Sequence, residues 1–182
     1  MKQTIIALAI IATSSTAMAD IDLPKQSKSD FGVHIGVATL MGDLGNTADY
    51  FNDDSNGISF GLDFTTQEGI IVGITHTPEL VSSTAYIFGI QEGKTEVDLT
   101  STSLYAGYQF DSGLRLTGGF THSKAEAELT YLGYSDSESS MGLNAGLGYR
   151  AKYGIYADVR LATMEILQLN GVSATAAIGY KF

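Results

Sequence analysis

Residues 172–182 read V-S-A-T-A-A-I-G-Y-K-F, and their period is two. Val172, Ala174, Ala176, Ile178, Tyr180 and Phe182 share one face of a strand, while Ser173, Thr175, Ala177, Gly179 and Lys181 share the other. Such alternation belongs to a strand between two different solvents, one apolar and one polar. Seven further segments alternate in the same way, at 31–40, 57–66, 70–77, 96–110, 114–131, 139–150 and 155–164. Strand three is the least regular, because Ile70, Ile71 and Val72 run together without a polar break. The content of 21 Gly, 10 Tyr and 8 Phe with only 2 Pro suits many strands joined by tight turns.

Connections after the second, fourth and sixth segments are short: Gln67-Glu68-Gly69, Asp111-Ser112-Gly113 and 151–154. Those after the first and third are long, at 41–56 and about 78–95, and those at 132–138 and 165–170 are of middle length. The chain therefore predicts an all-β fold with turns at one end and loops at the other.

Which face meets apolar surroundings follows from the charges. The rows Phe31 to Val37, Ile58 to Phe64, Leu104 to Phe110, Leu114 to Phe120, Met141 to Tyr149 and Ile155 to Leu161, taken at every second position, carry no charge. The opposite rows carry His34, Asp63, Arg115, Asn144, Arg150, Asp158, Arg160 and Lys181. A soluble sandwich would keep its charges outside and its interior dry. A barrel in lipid does the reverse, because Arg or Lys on the lipid face near the midplane costs about 2–4 kcal/mol. Each uncharged row is near the 9–11 residues that a tilted strand needs to cross a bilayer. In the fourth and fifth segments the same rows end in Asp98, Glu96, Lys124, Glu126 and Glu128, so these strands are expected to run on beyond the membrane. Phe64, Phe110, Tyr149, Tyr180 and Phe182 fall at the turn end, as an aromatic girdle would.

The N-terminus fits an exported protein. Lys2, the apolar run from Ile5 to Ala12 and the small residues Ala17, Met18 and Ala19 have the order of a secretory signal peptide. We expect residues 1–19 to be the signal and 20–182 the barrel domain. The net charge of −10 argues against nucleic acid as a partner, since phosphate contacts need clustered Lys and Arg. The absence of Cys removes disulfides, lipid-anchoring Cys and Cys metal sites.

These features together resemble the small eight-stranded outer-membrane barrels of the OmpA transmembrane-domain and OmpX/Ail type, with the terminal strand Gly179-Tyr180-Lys181-Phe182 as the most specific motif. The resemblance implies an eight-stranded antiparallel up-and-down transmembrane β-barrel in the bacterial outer membrane. An even strand number puts both termini in the periplasm and the long loops outside the cell. Outer-membrane lipid and lipopolysaccharide would surround it, and the barrel-assembly machinery would read Ile178, Tyr180 and Phe182 as an assembly signal. Members of that family serve as structural, adhesion or host-interaction proteins. Nothing after Phe182 corresponds to a peptidoglycan-binding domain, so cell-wall anchoring is not expected.

For function, three readings stand: a non-enzymatic surface barrel with possible adhesion, a narrow ion channel, and a lipid A-modifying enzyme. The lumen residues Asp63, Arg115, Arg150, Asp158 and Arg160 read as an internal salt-bridge network or as an ion path. Eight strands enclose a space that side chains just fill, which favours the network. His122 and Ser123 resemble part of the His-x-Ser-Asn motif of lipid A deacylases, yet adjacency turns them to opposite faces of a strand. Asn52 to Asp63 partly matches a calcium loop, but Asp63 lies in an alternating strand, so no metal or cofactor is expected. The loops are acidic, and Tyr86, Ile87 and Phe88 in the second long loop form a candidate surface-binding element. A second apolar stretch, from Met164 to Leu169, is expected beside it.

Overall fold

The computed structural model describes residues 28–44, 56–86, 94–129, 134–166 and 168–182. It is a closed barrel in which each strand pairs antiparallel with the next: β1 (Asp30–Gly42), β2 (Asn56–Thr65), β3 (Ile70–Tyr86), β4 (Lys94–Gln109), β5 (Leu114–Leu129), β6 (Tyr134–Arg150), β7 (Ile155–Ile166) and β8 (Leu169–Lys181). Closure is made by β1 against β8, from Gly32 opposite Lys181 to Gly42 opposite Gly171, and Phe182 N–H donates to Phe31 O at 2.9 Å.

Two of the turns need glycine. Gly69 and Gly113 have φ of +89° and +86°, a region costly for residues with a Cβ. Each donates its N–H three residues back, to Thr66 O and Phe110 O. Between β6 and β7 a single 3-10 turn, Lys152–Gly154, does the same work.

Following the register from Phe31 through Phe64, Val72, Ala106, Gly118, Ala145, Leu161 and Ala174 returns to β1 at Thr39, eight residues further along. With strands about 4.8 Å apart and a rise of about 3.3 Å per residue, eight strands with that stagger tilt by roughly 35° and enclose a backbone radius of about 7.5 Å. A cylinder so narrow is filled by the side chains that point into it.

The expected faces are found. Ile35, Phe60, Val72, Leu104, Phe120 and Leu143 point outward and are exposed, as are the turn-end aromatics Phe64, Phe110, Tyr180 and Phe182. Among the described residues, no Asp, Glu, Lys or Arg interrupts this outer band between the turn-end aromatics and the row His76, Thr102, His122. An apolar surface that encircles the molecule needs lipid as its solvent.

Three boundaries differ from the sequence reading. The segment expected as a long loop after strand three is mostly strand, since Val81 to Tyr86 pair with Leu99 to Lys94. Alternation was lost there because β3 carries a bulge: Thr77 faces Ser101, Val81 faces Leu99, and the four-residue step on β3 spans two on β4. Pro78 and Glu79 are exposed at this kink, and Leu80 is turned inward and fully buried. β6 likewise begins at Tyr134, and the β7–β8 connection closes between Ile166 and Leu169. Met164 and Ile166, expected on a surface loop, instead point into the lumen at 3 % and 2 % exposure. They pack with Ala38, Leu40, Leu80 and Leu99 into an apolar cap at the loop end of the lumen.

The bulge should therefore be structural. Leu80→Ala removes buried volume from the cap and is expected to cost about 2–4 kcal/mol, read as a lower urea midpoint in detergent with an unchanged strand-type far-UV spectrum. A midpoint equal to wild type would mean that the cap is not packed.

Candidate functional site

Two features distinguish this barrel: its filled lumen and the strands that outrun it. At the turn end of the lumen, Arg115 from β5 is completely buried and donates to two carboxylates, Nη1 to Asp158 Oδ2 at 2.9 Å and Nη2 to Asp63 Oδ2 at 3.1 Å. Lys181 Nζ pairs with the other oxygen of Asp63 at 2.8 Å and donates to Thr65 Oγ1. The Arg115 guanidinium lies 4.1 Å over the Tyr156 ring, so its face is covered as well as its edge. Charges out of water persist only when paired and hydrogen-bonded in this way.

Above this cluster, Arg160 Nη1 donates to Thr75 Oγ1 at 2.6 Å and its guanidinium stacks 3.6 Å over the Tyr105 ring. Thr75 Oγ1 is also 2.9 Å from His34 Nε2, and His34 Nδ1 is 3.1 Å from Tyr156 OH, which joins the two layers. A third layer links Ser103, Thr121 and Asn144, with Asn144 Nδ2 also donating to Leu104 O. The apolar cap follows. Of the five lumen residues singled out in the sequence, Asp63, Arg115 and Asp158 form one ion-paired chain. Arg160 sits one layer higher, and Arg150 stands apart at the turn end, 2.7 Å from Asp30.

Glycines make the room. The large inward side chains face inward-pointing glycines on neighbouring strands: His34 opposite Gly61, Tyr105 opposite Gly73 and Gly119, Tyr156 opposite Gly179. A Cβ at Gly61 would lie 2.1 Å from the His34 ring, and one at Gly179 2.3 Å from that of Tyr156. Tyr105, Tyr156, His34 and Lys181 belong to the lumen assembly but were not among the five residues the sequence singled out. Their signal was this pairing of a bulky residue with a glycine, legible only once the register is known.

At the loop end, β3 to β6 continue as a four-stranded sheet. β4 and β5 pair as far as Thr95 opposite Leu129, and β5 and β6 as far as Leu129 opposite Tyr134, whereas β6 and β7 pair only up to Asn144 opposite Ala162. Just above that point the Thr163 hydroxyl replaces the ladder, 3.0 Å from Leu143 N and 3.4 Å from Leu143 O. On the outer face of the projecting sheet the register sets Asp98 opposite Glu126 and Glu96 opposite Glu128. Lys124 Nζ reaches Glu126 at 2.5 Å. Of the candidate surface-binding residues, Tyr86 ends β3 opposite Lys94 rather than standing in a loop, and Ile87 and Phe88 lie outside the described residues. So do the signal segment 1–19 and Asn52 to Asp54. Asp63, the last position of the calcium-like spacing, is committed to Arg115 and Lys181. His122 is exposed on the outer face, whereas Ser123 is buried in the lumen at 1 %, so the two cannot act on one substrate.

Comparison with known proteins agrees with this architecture. Residues 5–182 match the outer membrane protein beta-barrel domain family. Among solved structures, Ail, the attachment invasion locus protein of Yersinia pestis, crystallised with the heparin analogue sucrose octasulfate, superposes with a TM-score of 0.60 at 17 % identity, covering 85 % of this chain and 99 % of that one. OprG from Pseudomonas aeruginosa gives 0.53 at 15 % identity, covering 88 % and 99 %. The N-terminal barrel domain of Pseudomonas aeruginosa OprF gives 0.51 at 15 %, covering 86 % and 98 %. No curated protein sequence matches the chain. At such identities the likeness shows the fold.

The ion-paired chain lends itself to a double-mutant cycle. Asp63→Asn or Arg115→Met alone should each cost about 3–5 kcal/mol by leaving a buried charge uncompensated. The double variant should cost well under the sum, measured by equilibrium urea unfolding of the refolded barrel. Additive losses would show that the two side chains do not depend on each other.

Proposed function

This chain belongs to the outer membrane protein beta-barrel family, and from that premise we propose that it is a non-enzymatic surface protein: a barrel sealed to ions that holds an acidic sheet above the membrane. In this reading the termini and short turns face the periplasm, the projecting sheet faces the outside, and outer-membrane lipid and lipopolysaccharide surround the apolar band. The observation that carries it is the contrast between the two ends of the barrel. The lumen is closed by ion pairs and then by an apolar cap, while four strands extend beyond the point where β6 leaves β7. A pore would need the lumen open, and a scaffold for contact needs the strands long.

The facing acidic rows favour a cationic partner. Carboxylates set directly opposite one another repel, a cost that a cationic surface relieves. Ail was solved with a polyanion; the rows Asp98–Glu126 and Glu96–Glu128 argue for the opposite ligand charge here. An enzymatic reading loses its candidate pair, because His122 and Ser123 stand on opposite faces.

Refolded protein in planar bilayers should show no discrete conductance steps, and stable steps would restore the channel reading. On a biosensor, polylysine should bind, heparin should not, and the variant Asp98→Asn with Glu126→Gln should bind polylysine at least threefold more weakly. Equal binding by the variant would return the acids to simple solvation.

The barrel-assembly machinery is the proposed partner during biogenesis, reading the outward row Ile178, Tyr180 and Phe182. Tyr180 and Phe182 contact edge to face at 5.1 Å and are both exposed at the turn end. Burying such a ring in lipid is worth roughly 1.5–3 kcal/mol, a modest part of barrel stability. Deleting Phe182 should therefore leave folding into detergent intact but lower outer-membrane levels in cells severalfold, whereas Phe182→Tyr should not. Normal cellular levels of the deletion variant would reject the signal role.

A further inference from the structure

The buried charges of the lumen do not balance. Asp63 and Asp158 are matched by Arg115 and Lys181 in a chain of three ion pairs, and Asp30 by Arg150 near the turns. Arg160 is left over: 6 % exposed, it donates Nη1 to a neutral hydroxyl and lies on the Tyr105 ring. Its Nε–H has no acceptor among the described residues. A guanidinium does not shed its proton, and a buried charge without a counter-charge is costly. Asp158, two residues away on the same strand face, is already held by Arg115.

Beside Arg160 the lumen wall has a small bay. Gly146 faces Arg160 in the register of β6 and β7. A Cβ built there would lie 2.5 Å from Thr117 Oγ1 and 3.4 Å from both Arg160 Nε and Val159 O. The unused N–H of Arg160 and the hydroxyl of Thr117 thus border one space, floored by a residue without a side chain.

We propose that this bay binds a small monovalent anion of the halide class, with chloride as the physiological occupant. Arg160 Nε–H and the Thr117 hydroxyl donate to it, and its single charge neutralises the surplus cation. The anion is a structural ligand of the sealed lumen, taken up as the barrel closes.

The test is equilibrium urea unfolding of the refolded barrel in detergent, with sodium and ionic strength held constant while chloride replaces isethionate. Binding with a Kd of about 100 mM would raise the folded-to-unfolded ratio about tenfold between 10 mM and 1 M chloride. Arg160→Gln should abolish that response. Should this variant fail to fold, Thr117→Val keeps the charge and removes one donor, so it should show a clearly weaker chloride response. Crystals grown in bromide should carry an anomalous peak between Arg160 and Thr117. Identical midpoints in chloride and isethionate would overturn the proposal. So would a chloride response that survives Arg160→Gln, or, where only Thr117→Val folds, an undiminished response with no bromide peak in the bay.

Discussion

Closure with a stagger of eight residues is the constraint on which the rest of the molecule depends. It fixes the radius at about 7.5 Å, and the inward positions must then fill the space without overfilling it. Tyr105, Tyr156, His34 and Arg115 are large for so narrow a cylinder. They fit because Gly73, Gly119, Gly179 and Gly61 stand opposite them, and because Gly32 lets the Asp63, Lys181 and Tyr156 side chains meet within about a van der Waals contact of its backbone. Small facing large across neighbouring strands is how a small barrel becomes a packed solid.

What fills the lumen differs along its axis, and the order has consequences. The charged layer sits toward the turns, the hydroxyl and amide layer lies in the middle, and the apolar cap stands at the loop end. Ion pairs buried in this way are weak sources of net stability but strong constraints on arrangement, because a slipped register would strand a charge. A one-residue slip of β5 against β4 would carry Arg115 out to the apolar surface, at a cost of about 2–4 kcal/mol there. It would also leave Asp63 and Asp158 short of a cation inside. The cap contributes by burial, and Leu80 reaches it only because two extra residues on β3 turn the strand over at Pro78.

Most of the fold was legible in the sequence, because lipid on one side and a polar lumen on the other impose a period of two that eight segments obey. The face assignment held at every strand, down to Ile71, whose place in the run Ile70-Ile71-Val72 looked irregular but which is fully buried in the lumen. Strand ends at the loop side were read short, for one physical reason. Above the membrane both faces of a strand meet water or protein, so alternation fades at Ser82 to Tyr86 and at Tyr134 to Glu138 although the hydrogen-bond ladder continues. The lumen was legible in kind and not in connection. Asp63 and Arg115 could be placed on inward faces, yet their meeting with Lys181 depends on strands far apart in sequence, and Arg150 was grouped with them although it pairs near the turns with Asp30.

The unequal strand lengths raise a problem that a closed barrel otherwise avoids. Where β6 parts from β7, residues 134–139 have no ladder partner on that side among the described residues, and a free edge invites another strand. The sequence along it is Tyr134-Ser135-Asp136-Ser137-Glu138-Ser139, and Ser137 N–H donates to Asp136 Oδ1. Polar side chains and acids on such an edge oppose pairing with a second copy of the same chain, since two acidic edges would meet. The carboxylates on the sheet face, at Asp98 and Glu126, add to that repulsion. The charge that makes the sheet unattractive to its own kind is the charge that leaves it open to a cationic surface, so solubility of the exposed edge and selectivity for a partner have one physical origin.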